Sequence, residues 1–189
     1  MDKDFHGMLA TLAACSAVKD VEREGWKRWA GVASPESVAD HIFSTTLAAM
    51  ITGDALHLDT EKMMRMALLH DVCEAVTGDI QPGEMEVSLK EAKETAALSS
   101  LLRRLPEPLI SSYVALFEEF NRGASQEALL VKDLDKLEMV MQAVAYERKG
   151  IRKELLDEFW KTAEERIGSE TGRKMLSSAG SLRPRHSTP

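Results

Sequence analysis

The chain has 189 residues, enough for one domain with a real core and short for two. With 44% hydrophobic and 29% charged residues it has the composition of an ordinary globular protein, and its formal charge of −7 argues against a broad electrostatic footprint for duplex nucleic acid. No apolar run approaches the ~20 residues that cross a bilayer, no signal-peptide pattern opens the chain, and Cys15 and Cys73 form neither a disulfide framework nor a zinc knuckle, so a soluble, cytoplasmic protein with no membrane partner is expected.

Phe5, Met8, Leu9, Leu12 and Val18 recur at helical spacing and predict a first helix over residues 4–20. Residues 21–34 hold Arg23, Gly25, Trp26, Arg28, Trp29 and Gly31, which read as a loop that packs or stacks on something. Ser34-Pro35-Glu36 carries start signals (N-cap, first-turn proline, first-turn acid) for a helix through Val38, His41, Ile42, Thr45, Ala49 and Met50 that ends near Gly53. Asp59-Thr60-Glu61 opens another, rich in flexible Met filler, which runs on through Leu68 to a stop at Gly78.

After a turn at Gln81-Pro82-Gly83, residues 85–105 read as a solvated amphipathic helix. Pro106 and Pro108 start a helix with Leu109, Ile110, Tyr113, Leu116, Phe117 and Phe120. Ser125-Gln126-Glu127 begins a long one through Leu134, Leu137 and Val144, and residues 151–167 make one more. Alternating strands, repeats and linkers are absent from the pattern. The expected fold is all-α: a single-domain helical bundle over residues 1–179, followed by a flexible tail over 180–189.

The chemistry concentrates in residues 67–79, Ala-Leu-Leu-His-Asp-Val-Cys-Glu-Ala-Val-Thr-Gly-Asp. On a helix, Glu74 follows Asp71 by three residues and His70 by four, so the three side chains can share one face. Ionisable groups on a face otherwise made of Leu, Val and Ala need a metal, a partner or hydrogen bonds. Two other helices bring ligand types into apolar settings: His41 in one, Asp133 and Asp135 in the other. Asp133 and Asp135 lie about 200° apart around a helix, so only one can face a shared metal. Two imidazoles and one or two carboxylates form a mixed N/O donor set suited to a divalent transition metal. Such an ion polarises a phosphoryl oxygen and acidifies a water.

The ordered pattern His…His-Asp…Asp resembles the HD-domain metal phosphohydrolases. Arg23-x-Gly25-Trp26, Pro35-Glu36-Ser37-Val38-Ala39-Asp40-His41, Leu69-His70-Asp71-x-x-Glu74-Ala75-x-Thr77-Gly78-Asp79-Ile80 and Val131-Lys132-x-x-Asp135-Lys136 are similar to the 5′-deoxynucleotidase branch of that family, which includes the YfbR type and the HD-domain-containing protein 2 type. The resemblance covers residues 5–165 and implies an HD-type bundle that hydrolyses deoxyribonucleoside 5′-monophosphates to deoxynucleoside and phosphate.

It implies His41, His70, Asp71 and Asp135 as metal ligands, because Asp135 directly precedes Lys136 as the family's ligand does, and leaves Asp133 as a solvated surface carboxylate. Asp71 and Glu74 would handle the water and the proton. Arg23 would clamp the phosphate, with Arg28 as the alternative, and Trp26 would lie against the nucleoside. Asp79, Ile80, Gln81 and Pro82 match the substrate loop, Asp79 as partner of the sugar 3′-hydroxyl. The ion would be Co, Mn, Mg, Ni, Fe or Zn, with room for a second at Glu74 and Asp79. His6, His57 and His186 receive no role. Relatives imply a homodimer, through the helix from Leu109 to Phe120 or the last long helix. The alternatives are an HD phosphohydrolase for another nucleotide, or a nucleotide sensor without turnover, which would have no need for Glu74.

Overall fold

In the computed structural model, which describes residues 5–184, the chain forms ten α-helices and no β-strand among those residues. In chain order they are α1 (Phe5–Cys15), α2 (Glu24–Ala30), α3 (Val38–Leu56), α4 (Thr60–Leu69), α5 (Glu74–Thr77), α6 (Val87–Leu102), α7 (Glu107–Arg122), α8 (Gln126–Arg148), α9 (Lys153–Arg166) and α10 (Glu170–Ala179). The all-α expectation holds. His186 and residues 185–189 of the expected tail lie outside the described residues.

Helix α8 is the axis of the molecule. Its buried residues include Leu130, Leu134, Leu137, Val140 and Val144, and α3, α4, α7, α9 and α10 all pack against it. Burying each of these side chains contributes about 1.5–3 kcal/mol. Four carboxylates of α8 are buried or half-buried, and each is partnered. Asp133 receives the Gly168 and Ser169 amides, Asp135 pairs with Lys136, Glu138 meets His41, and Glu147 meets Arg183. A second apolar cluster, Val38, Ile42, Val72, Cys73, Leu98 and Phe117, fills the far side of α3.

Several predicted boundaries shift for identifiable reasons. Residues 16–20 continue α1 as a 3₁₀ turn. The expected loop at 21–34 contains α2, which is anchored because Trp26 is buried against Phe159. Ser34-Pro35 does not start α3; the segment stays extended to pair Glu22 with Ser37 in a short antiparallel bridge. Ser37 is the cap, in a reciprocal capping box with Asp40. Nor does Gly53 end α3. A Cβ there would stand 2.7 Å from Thr60 Oγ1, so this glycine allows α4 to approach closely. Asp59 and Ser125 cap α4 and α8 as expected.

The helix expected to run unbroken to Gly78 breaks after Leu69. The amides of Val72, Glu74 and Ala75 donate to carbonyls three residues back, so residues 70–73 form a tightened turn before α5. In α7, Phe117 and Phe120 face the interior, so the helix proposed for dimer contact uses much of its apolar surface internally. Helix α10 was not signalled by the sequence pattern. Beyond it, Gly180–Leu182 forms a 3₁₀ turn and Arg183 bonds Glu147 and Asp157, so the first part of the expected tail is packed onto α8 and α9.

Candidate metal centre and active-site cavity

The centre of the site is built by α3, the 70–73 turn and α8. The capping box that starts α3 places His41 one turn into the helix, with its ring fully buried. Its Nδ1 lies 2.6 Å from Glu138 Oε2. His70 Nδ1 lies 2.7 Å from the Ala67 carbonyl, an oxygen that only accepts, so Nδ1 carries a proton and donates there, leaving Nε2 to face His41 and Asp71. These contacts aim both Nε2 atoms at one point, 3.2 Å apart. Asp135 Oδ1 stands 3.4 Å and Asp71 Oδ2 3.5 Å from His41 Nε2, and Asp71 Oδ2 is 3.3 Å from His70 Nε2.

Ligands held at about 2.1 Å from one ion are separated by about 3.0 Å in octahedral and about 3.4 Å in tetrahedral coordination. The separations among His41, His70 and Asp71, 3.2 to 3.5 Å, lie close to those values, and these three residues form a cluster able to hold a cation, with Asp135 beside His41; two imidazoles with carboxylates are a mixed N/O donor set suited to a divalent transition metal. Burial and Arg23 push the His41 imidazole down, but bonds to Asp135 and Glu138 outweigh them and raise it to about 9. Burial acts to raise Asp71 and Asp135. The His70, Arg23 and His41 charges hold Asp71 below the usual carboxylate range, and Lys136 and the histidines do the same for Asp135. Glu138 therefore positions His41 from behind, as carboxylates do behind metal-bound histidines. It stands three residues after Asp135 on the same helical face, a spacing that was available as a signal in the sequence.

A cavity of about 590 Å³ opens from this centre, lined by Arg23, Asp71, Glu74, Asp79, Ile80, Gln81 and Pro82 among others. Glu74 is 3% exposed, and its Oε2 has no hydrogen-bond partner. Burial, then Asp71 and Asp79, push its carboxyl well above the ordinary range. Arg23 Nη1 lies 3.3 Å from Asp71 and 3.8 Å from Asp79, and the surrounding carboxylates outweigh its burial to keep it charged. Arg28 instead pairs with Glu84.

Asp79 accepts from the Glu24 amide and the Gln81 side-chain amide, each at 2.7 Å, so it also braces the loop against α2. Gly25 permits this: a Cβ there would stand 2.8 Å from Gln81 Oε1. Lys90 Nζ donates to the Ile80 carbonyl at 2.9 Å.

Trp26 belongs to the cavity wall but is only 2% exposed. Its ring stacks on Phe159 with centroids 4.0 Å apart, and Nε1 donates to Glu36 at 2.9 Å. Most of its surface is packed in the interior, and the exposed indole in the cavity is Trp29. Asp133 departs from the expected solvated carboxylate. It is buried, not solvated, and receives the Gly168 and Ser169 amides at 2.9 and 3.0 Å ahead of α10. Lys136, Met139, Phe159 and Thr162 also line the cavity, and those from α9 carry no sequence motif.

The model of the HD domain matches residues 15–173. The chain belongs to the HD-domain family. The chain is 32% identical to zebrafish (Danio rerio) 5′-deoxynucleotidase HDDC2 over 180 residues, covering 95% of this chain and 89% of the relative. It is 37% identical to the mouse (Mus musculus) protein of the same name over 142 residues, 75% of this chain and 70% of that one. A protein of solved structure from Pyrococcus horikoshii superposes with a TM-score of 0.79 at 32% identity, over 93% of this chain and all of that one.

Proposed function

We propose that this HD domain is a metal-dependent 5′-deoxynucleotidase that converts deoxyribonucleoside 5′-monophosphates to deoxynucleosides and phosphate. The observation that carries the reading is the cluster of His41, His70 and Asp71, with Asp135 beside His41, next to a cavity whose buried acid, Glu74, has an unpartnered oxygen. The names of the 32–37% identical relatives support it.

The four ligands would hold one divalent ion, with Mn, Fe, Co, Ni or Zn better suited to the donor set than Mg. When bound, such an ion supplies charge stabilisation to the phosphoryl group and lowers the pKa of a water. Arg23, held by Asp71 and Asp79, neutralises phosphate charge beside it. Glu74 takes a proton from the attacking water and delivers it to the 5′-oxygen as the P–O5′ bond breaks, a role that its raised pKa suits. The bond from water oxygen to phosphorus forms as the other breaks, so the products are the free 5′-hydroxyl and inorganic phosphate. Ile80, Gln81 and Pro82 enclose the sugar, with Asp79 near its 3′-hydroxyl.

The remaining parts of the reading follow from the surface. Phe43, Leu47 and Ile51 form an exposed apolar stripe on α3 and suit a homodimer, which light scattering would test. No helix among the described residues is long and apolar enough to cross a membrane, and both cysteines are free thiols. A reducing cytoplasm is the compartment we propose. The function is tested by stripping the purified protein with a chelator, reloading it with single metals and measuring phosphate release from matched deoxyribo- and ribonucleotides. Release from the deoxyribonucleotides is expected; none from any of them would reject the reading.

A further inference from the structure

Of the three tryptophans, Trp26 and Trp160 are 2% and 9% exposed, whereas Trp29 is 54% exposed. An indole is the largest apolar side chain, and leaving it in water forgoes its burial energy. Trp29 nevertheless sits in the wall of the active-site cavity. It lies four residues after Gly25 on α2, so Gly25, Trp26 and Trp29 present one helical face to that cavity.

The indole is also held in place. The Arg28 guanidinium lies 5.3 Å from the Trp29 ring centroid and is itself bonded to Glu84, which in turn accepts from the Gln81 amide. The end of α2 is thereby tied to the loop that carries Ile80, Gln81 and Pro82. The cavity lining is of two kinds: Arg23, Asp71, Glu74 and Asp135 are charged, while Trp29, Pro82, Met139 and Phe159 are apolar. Trp29 stands five residues beyond Glu24, the first residue of α2 that Arg23 precedes as N-cap, about 7.5 Å of helical rise, a span on the scale of the distance between the phosphate and base of a mononucleotide.

We infer that Trp29 is the stacking platform for the substrate base, and that the enzyme distinguishes nucleotides from base-free sugar phosphates through it. This rests on the nucleotidase reading. Stacking is sequence-tolerant, because every base has a π face, and is strongest for purines, so the site takes any nucleobase with purines favoured. Trp29 is a positioning residue: it orients the substrate and touches no reacting atom.

The test compares dAMP with 2-deoxyribose 5-phosphate, which keeps the sugar and phosphate but lacks the base, on wild type, Trp29→Ala and Trp29→Phe. Trp29→Ala is expected to raise KM for dAMP about 5- to 10-fold. Its kcat for dAMP and its kinetics on the base-free substrate should change less than about twofold, and Trp29→Phe should recover most of the lost affinity. Equal losses on both substrates, or no loss on either, would overturn the inference and leave the nucleotidase reading standing. Failure of the wild type to release phosphate from either substrate would reject both.

Discussion

Glu138 Oε2 lies 2.6 Å from His41 Nδ1, and this contact turns the opposite ring nitrogen of His41 toward His70, Asp71 and Asp135. Glu138 and Asp135 are three residues apart on α8, so one turn of helix carries both a proposed ligand of the ion and the group that orients His41, another proposed ligand.

Replacing Glu138 with Gln keeps the shape and removes the charge behind His41. Metal affinity is expected to fall about 10- to 100-fold, as it does when such supporting carboxylates are lost elsewhere. Competition with a chromophoric chelator measures this. An unchanged affinity would mean that the contact does not tune the site.

Glu74 carries an opposing requirement. Its carboxyl is held above the ordinary range by burial and by Asp71 and Asp79, so over the interval from the ordinary glutamate value up to its raised one the folded protein binds more protons than the unfolded chain. Its contribution is complete below that interval and is lost as pH rises through the folded pKa. Metal-free Glu74→Gln should therefore gain thermal stability over wild type at pH 8, with the difference vanishing near pH 4. The same substitution should lower kcat about 10²- to 10⁴-fold. Parallel melting curves across this pH range would refute the assignment of a buried, strained acid.

Asp133 separates structure from chemistry. Asp133→Ala leaves the Gly168 and Ser169 amides without their acceptor and should cost about 2 kcal/mol, lowering Tm by about 4–8 °C in a domain of this size. Metal content and KM should stay at wild-type values. Loss of metal with an intact fold would restore Asp133 to the ligand set.

Gly25→Ala pushes a methyl group against the Gln81 side-chain amide, which bonds Asp79. The amide can swing away at little cost in stability. KM for a deoxynucleotide is therefore expected to rise several-fold with kcat little changed, in steady-state kinetics at saturating metal.

The helical class was legible because the apolar residues of α4 and α8 repeat at helical spacing and Asp59 and Ser125 are strong caps. The candidate ligand pattern was legible because His41, His70-Asp71 and Asp135 each lie in an otherwise apolar helical pattern, and His70-Asp71 is followed by Glu74 and Asp79 at fixed spacing. What was hidden depended on tertiary contact. Helix α2 has a glycine near its start and another at its end and is stabilised by Trp26 packing on Phe159, more than 130 residues away in sequence. Ser34 and Ser37 are both good caps, and the pairing of Glu22 with Ser37 decides between them. Asp133 reads as a surface residue until α10 folds over it. Helix α10 has few large apolar residues, with Met175 and Leu176 only partly buried against the main core.

The most direct test of the metal centre measures phosphate release from dAMP by chelator-stripped wild type and Asp135→Ala across a titration of one divalent metal. Wild type should be inactive without metal and recover as one equivalent binds, while Asp135→Ala stays folded and inactive at the same metal concentrations. Full activity of the stripped wild type, or wild-type recovery by Asp135→Ala, would contradict the assignment of Asp135, with His41, His70 and Asp71, as the ligands of a catalytic ion.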